Sequence, residues 1–296
     1  MQISPFSIPC SMKRRRFLSQ GVLAIATLNS FKELSFISTK KETMKGRLLR
    51  HATLIVEING WHILVDPMLS KKEEMDPVGN AGNSNRIPMV ELPITNDELN
   101  EIINKTDAVL LTHIHRDHWD AAAQKLIPKN KFIICQPADE EKIKAEGFNN
   151  VHSIENDYRW NSIGIQRTNG QHGTGDIGKK MGIVSGFILT FKNEILYIAG
   201  DTILCNDVKD AINNYHPTHI IVNGGGAKFM EGDAITMTIN DVLELAKFTT
   251  TTINVVHLDT VNHCLQRRPD FKSAISEHRL EKQVRVANDG DWLDIS

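Results

Sequence analysis

The stretch LLTHIHRDHWD, from Leu110 to Asp120, places His113, His115, Asp117 and His118 within six positions of a chain that has 12 histidines in all. Imidazole and carboxylate are the donors that zinc and similar divalent ions accept. The preceding DAVLL is apolar and β-prone, which predicts a buried strand with the cluster at its end. Side chains two apart in an extended segment point the same way, so His113 and His115 can address one ion together. After Arg116 the chain must turn, and Asp117 and His118 can then face a neighbouring position. A solvated loop with chance histidines is the plainer alternative. It would not leave four polar groups at the mouth of so apolar a strand, where each needs a partner.

Three further residues stand at the ends of strand-like segments. His172 follows IGIQRT, Asp201 ends LYIAGD, and His257 ends INVVH. Each alone reads as a capped core or surface residue. Together the four strand ends would converge at one edge of a sheet. Asp66 in LVDP either braces a ligand histidine or opens an Asp-Pro turn. His51 and His62 read as structural. His263, six positions beyond His257, is expected to line a pocket and is the rival to His257 as a ligand, although no apolar strand precedes it. GGGAK, Gly224 to Lys228, lacks the spacing and the Ser/Thr of a P-loop. It reads as a tight loop that lets the backbone approach the site, with Lys228 a candidate contact for an anionic substrate group. Cys205 and Cys264 read as small buried hydrophobes.

These residues must be positioned by many short strands with helices between them. ATLIVEI and WHILVD flank Asn59-Gly60, a hairpin signal. DAVLLT, KFIICQ, GIQRT, SGFILTF, EILYIAG, THIIVN and TINVVH read as strands, and SGFILTF pairs with EILYIAG across Lys192-Asn193. ADEEKIKAEG and TINDVLELAKF read as helices. Ser70 to Pro93, rich in Pro, Gly and Asn, is a long irregular loop of the kind that often lines a binding site.

The bulk numbers fit such a fold. The 296 residues are 41% hydrophobic and 24% charged, enough for a large core without disulfides. A net charge of -2 gives no footprint for nucleic acid. The four cysteines, Cys10, Cys135, Cys205 and Cys264, form no CxxC pair, which argues against a cysteine-only zinc site. At the amino terminus, KRRRFLSQGVLAIATL sets Arg14 and Arg15 before a short apolar run. The pattern is that of a twin-arginine export signal, starting at Met1 or Met12, and predicts a periplasmic or exported protein. A disordered basic tail on a cytoplasmic protein is the alternative. The run is too short for a transmembrane helix, and no other segment qualifies, so no integral membrane span is expected.

The ordered set His113, His115, Asp117, His118, His172, Asp201 and His257 resembles the signature of the metallo-β-lactamase-fold hydrolases. More narrowly, RHATLIVEINGWHILVDP, AGDT around Asp201, and NGGGAKF followed by VVHLDT are similar to the branch that includes the L-ascorbate-6-phosphate lactonases and the N-acyl-phosphatidylethanolamine phospholipase D enzymes. The resemblance spans roughly residues 46 to 290. The substrate-contacting residues of those enzymes have no match here. The resemblance implies an α/β fold, an αβ/βα four-layer sandwich of two mixed sheets with helices outside and metals at one edge. It makes residues 46–296 the hydrolase domain and leaves residues 1–45 outside it. It implies two divalent ions, zinc by default, with manganese or iron also suited. His113, His115 and His172 would hold the first, Asp117, His118 and His257 the second, and Asp201 would bridge. A metal-bridging hydroxide would attack an ester, lactone or phosphodiester of a small molecule, with Asp117 orienting it or passing on its proton. The alternative function is a non-hydrolytic metal-binding or sensor protein on the same scaffold. Redox and nuclease members carry additional segments for which this chain has no spare length.

Overall fold

The computed structural model describes residues 44–293 and residue 295. The segment with Arg14 and Arg15, and both candidate starts, lie outside the described residues. The strands in chain order are β1 (Met44–Arg50), β2 (Thr53–Ile58), β3 (Trp61–Val65), β4 (Ala108–Leu110), β5 (Phe132–Cys135), β6 (Val151–Ser153) and β7 (Asp157–Trp160). They continue with β8 (Ile163–Asn169), β9 (Ser185–Phe191), β10 (Glu194–Ile198), β11 (His219–Asn223), β12 (Thr252–Val256), β13 (Val284–Val286) and β14 (Trp292–Leu293). They form two seven-stranded sheets, ordered β14-β1-β2-β3-β4-β5-β6 and β13-β12-β11-β10-β9-β8-β7. Each sheet is mixed. β3 to β6 and β10 to β13 run parallel, and the remaining pairs are antiparallel.

The parallel strands are the near-continuous apolar runs AVL, FIIC, HIIVN and TINVV, as expected of strands covered on both faces. Between the sheets, Val56, Val65, Leu110, Phe187, Leu189, Ile198 and Val256 share one buried core. Helices α1 (Asn96–Lys105), α2 (Ala121–Leu126) and α3 (Glu140–Ala145) cover the outer face of the first sheet, burying Leu99, Ala123 and Ile143 with Leu64, Val109 and Ile133. The short α4 (Gly175–Met181) buries none of its residues. Helices α5 (Asn206–Tyr215), α6 (Ile239–Phe248) and α7 (Arg268–Glu277) cover the second sheet through Val208, Leu245 and Phe271. The expected four layers are therefore present. Asn59 and Gly60 both have positive φ (51° and 83°), as a type I′ hairpin requires. Thr238 caps α6 in a reciprocal capping box with Asp241.

Two local expectations are corrected. Strand β1 starts at Met44, inside the segment set outside the fold, because the exposed Lys45 and half-buried Arg47 mask the inward alternation of Met44, Gly46 and Leu48. The helix expected over ADEEKIKAEG is shorter. A 3-10 turn at Pro137–Asp139 precedes α3, and Gly147 follows at φ 94°.

The loop from Ser70 to Pro93 is irregular, as expected, but it is firmly held. Arg50, fully buried at the end of β1, donates its guanidinium to the carbonyls of Met68 and Ser70 (both 2.9 Å) and Val90 (3.0 Å). Burial lowers the pKa of Arg50 to about 10. Buried Asn262 accepts from the Val78 N–H (2.9 Å) and donates to the carbonyls of Val78 (3.1 Å) and Asn83 (2.8 Å). Asn262→Ala would remove hydrogen bonds to the partly exposed backbone of Val78 and Asn83, each contributing about 0.5–1.5 kcal/mol. Limited proteolysis should then nick residues 76–87 faster, with amide exchange in β4 and β12 unchanged. Cleavage at the parental rate would show that Asn262 does not secure the loop.

Candidate metal centre

The site forms where strands of both sheets end. Leu111 and Thr112 follow β4 and lead into His113. Gly170 and Gln171 carry β8 on to His172, Ala199 and Gly200 carry β10 on to Asp201, and His257 directly follows β12. Gly200 has φ 69°, and a Cβ there would meet the Ser185 carbonyl of the neighbouring strand at 2.6 Å and Thr112 Cβ, in the other sheet's loop, at 3.1 Å, so glycine suits this close approach.

All seven sequence-derived residues come together. Asp201 is at the centre and almost fully buried. Its Oδ2 lies 3.3 Å from His118 Nε2, 3.7 Å from His172 Nε2 and 3.9 Å from His113 Nε2. Its Oδ1 lies 3.4 Å from His257 Nε2 and accepts from Asn223 Nδ2 at 2.7 Å. His113, His115 and His172 form one group of converging donors. Asp117, His118 and His257 form another, and His51 belongs to it. His51, expected to be structural, is buried with Nε2 3.3 Å from Asp117 Oδ2 and its ring 3.7 Å from that of His257. The rule used for the other candidate ligands, a histidine directly after a strand, would have found it only if β1 had read as a strand. His62 instead pairs with Asp107, at the opposite end of β4.

Asp66 braces the site. One carboxylate oxygen accepts from the Thr112 N–H (2.8 Å), and the other from the Thr112 hydroxyl (2.7 Å) and His118 Nδ1 (2.9 Å). His172 Nδ1 donates to the Ile235 carbonyl at 2.7 Å. These tethers point Nε2 of both rings inward. His118 Nε2 and His257 Nε2 are buried without a well-aligned hydrogen bond, although each faces Asp117 and Asp201 across 3.3–3.9 Å. Orphaned imidazole nitrogens opposite carboxylates are what divalent ions satisfy, so the residues present fit a metal centre.

The electrostatics are strongly coupled. Burial opposes charge on His118, but Asp201 and Asp117 outweigh it and push the pKa up to about 10. Burial also opposes charge on His257, and Asp201 again outweighs it, raising the pKa well above the ordinary value. Burial works against ionised Asp117 and Asp201 too, yet the surrounding histidines, His118 and His257 foremost, hold both carboxyls well below the usual range. Burial and the neighbouring His118 keep His113 neutral. Burial and His257 hold His51 neutral, with a pKa of about 3.

A cavity of about 190 Å³ opens onto the cluster, lined by His115, Asp117, His172 and Asp201 and walled by Val78, Met181, Phe229 and Ile235. His263 lines it, stacked on Phe229 (5.7 Å between ring centres), so the structure separates its position from that of His257. Burial lowers the pKa of His263 to about 4. Lys228 is not among the lining residues; its backbone N–H donates to the His263 carbonyl at 2.9 Å. The glycine run is a close-packed loop, as expected: a Cβ on Gly225 would meet Cys264 Sγ at 2.8 Å and the His257 carbonyl at 2.9 Å. Cys264 Sγ lies 3.6 Å from His257 Nδ1, closer to the chemistry than a packing role requires. Cys205 is half-buried beside Thr202.

Ligand histidines bind metal only when neutral. With their raised pKa values, His118 and His257 are protonated at pH 7 in the metal-free protein. Zinc loading at pH 7 should therefore release protons, and affinity should rise as pH rises toward the His118 value. Calorimetric titration in buffers of different ionisation enthalpy reads this release directly. A binding enthalpy independent of the buffer would contradict it.

Known proteins resemble the chain in sequence and in fold. The Beta-lactamase superfamily domain matches residues 62–257. The UPF0173 protein YddR of Bacillus subtilis is 32% identical over 248 residues, covering 82% of this chain and 96% of that protein. A UPF0173 metal-dependent hydrolase of Methanocorpusculum labreanum is 27% identical over 197 residues, 64% of this chain and 85% of its own. Among solved structures, the isothiocyanate hydrolase from Delia radicum gut bacteria superposes with a TM-score of 0.80 at 32% identity, covering 84% of this chain and 98% of that one. These relatives carry the superfamily assignment and not the narrower lactonase and phospholipase branch. The converging histidines and aspartates, the four-layer fold and these relatives together make the chain a member of the metallo-β-lactamase superfamily and a metal-dependent hydrolase.

Proposed function

We propose that the protein is a dinuclear hydrolase that opens an ester, lactone, phosphodiester or related electrophilic bond in a small molecule. The observation that carries this reading is Asp201, whose two oxygens together face four imidazole nitrogens at 3.3–3.9 Å. One carboxylate thus serves two donor sets, His113, His115 and His172 on one side and Asp117, His118 and His257 on the other. Zinc suits so many imidazoles, and manganese or iron fits the carboxylates as well. When bound, such ions lower the pKa of water toward about 7 and polarise the oxygen of the bond under attack.

The chain's own residues do the rest. Asp117 lines the cavity as a carboxylate, so it can orient an attacking water and take its proton. Asp66 and the Ile235 carbonyl keep His118 and His172 facing inward. Val78, Met181, Phe229 and Ile235 exclude water around the scissile bond and pack against an apolar substituent. Neutral His263 can hydrogen-bond a heteroatom of the substrate. The 190 Å³ cavity is smaller than the roughly 300–1,000 Å³ of pockets for drug-sized ligands, which favours a compact substrate. An isothiocyanate, the substrate class named for the similar solved chain, is a small neutral electrophile, and this cavity favours it as a second reading. For localisation we propose export, on the pattern of Arg14 and Arg15.

Metal-loaded protein should turn over at least one member of a panel holding an aryl ester, a lactone, an aryl phosphodiester and an aromatic isothiocyanate. Asp201→Asn keeps the shape but supplies a neutral, poorer ligand. It should lower that rate by at least about 10²–10³-fold with little change in far-UV circular dichroism. Equal turnover by the variant would refute the bridging role. A parent that binds metal and turns over nothing would favour a metal-binding or sensor protein.

A further inference from the structure

We infer that His51 is a positioning residue for the second donor set, donating from Nε2 to Asp117 Oδ2 and fixing the lone pair that this oxygen turns toward His118 and His257. The inference rests on the dinuclear reading, because it gives Asp117 a metal to serve.

His51 follows β1, in the sheet opposite the one that supplies His257. It reaches the site because its φ is 61°, and His257 has a matching φ of 67°. The His51 carbonyl accepts the His257 N–H at 2.8 Å, and the two rings lie 3.7 Å apart at 35°. One residue thus links the two sheets through its backbone and meets Asp117 through its side chain at 3.3 Å.

The same Oδ2 lies 3.8 Å from His257 Nε2 and 3.9 Å from His118 Nε2, so it is the oxygen that faces their shared space. A carboxylate oxygen has two lone pairs, one for His51 and one for an ion. Without the strut, rotation of the carboxylate would present other lone pairs to that space, and a loosely held donor binds less tightly.

The nitrogen on the far side of the ring argues for a strut over a ligand. The inward-facing His118 and His172 tether Nδ1 to Asp66 and to the Ile235 carbonyl. His51 Nδ1 is buried with no hydrogen-bond partner among the described residues. A neutral imidazole has one N–H. On Nε2 that proton meets a carboxylate. On Nδ1, where a ligating Nε2 would force it, it would be a buried donor with no acceptor.

Two variants of the full chain separate the roles. Asn tolerates positive φ but ends near the Nδ1 position, so His51→Asn keeps the backbone and loses the reach to Asp117. His51→Gln carries an amide N–H out to the Nε2 position. In chelator competition, His51→Asn should bind the second zinc ion about 10–100-fold more weakly with the first unchanged. His51→Gln should recover most of that loss. X-ray absorption of the cobalt-loaded parent and of His51→Gln should count equal numbers of imidazoles. Parental affinity in His51→Asn would overturn the inference and leave His51 a packing residue. One imidazole fewer in His51→Gln would overturn it in favour of a ligand. A parent that holds a single ion would overturn the dinuclear reading and this inference with it; a parent that holds two ions, with the second held as tightly in His51→Asn, would overturn the inference alone.

Discussion

Burying the Asp201 carboxylate among histidines is the constraint to which the other parts of the structure answer. A lone carboxylate in this position would be costly, because its charge has left water. In the metal-free chain, protonated His118 and His257 compensate it. A bound cation would take over that role and leave the histidines neutral. Either arrangement requires strand ends from both sheets to reach one point within a few ångströms. The apolar core between the sheets provides this by holding β1, β4, β10 and β12 in fixed relation. The metal centre therefore depends on sheet packing, while the sheets keep their own contacts away from the site.

Around that centre the structure adds two kinds of support. Asp66, Asn223 and the Ile235 carbonyl hold individual donors by short hydrogen bonds. Arg50 and Asn262 hold the long loop that brings Val78 to the cavity wall. The first kind tunes the metal donors, and the second shapes what can reach them. Four apolar side chains, Arg116 and the neutral His263 surround the mouth of the donor cluster, so size, apolar contact and charge all bear on what can enter.

Much of this was legible in the sequence because the signals are local. An apolar strand followed by paired histidines identifies its own strand end, and Asn-Gly identifies its hairpin. The second-sheet strand-end residues His172, Asp201 and His257, which the structure brings into the cluster, were legible for the same reason. His51 and the role of Arg50 were not, because β1 carries Lys45 and Arg47 among its apolar positions and did not read as a strand. Without the strand, a histidine at its end carries no signal. The pinning of the loop by Asn262 joins residues 184 positions apart, a relation that no local pattern encodes. Asp66 was legible only as a choice between brace and turn. Its contacts with Thr112 and His118 give it the brace, and its φ of 42° belongs to the turn, so it does both.

The central claim is that Asp201 joins two metal sites. Anomalous diffraction from crystals of the metal-loaded protein, collected on either side of the metal's absorption edge, tests it most directly. The account predicts two peaks about 3.5–4 Å apart. One should lie among His113, His115 and His172, the other among Asp117, His118 and His257, with Asp201 touching both. A single peak in the first group with none beside Asp117, under conditions of excess metal, would contradict it.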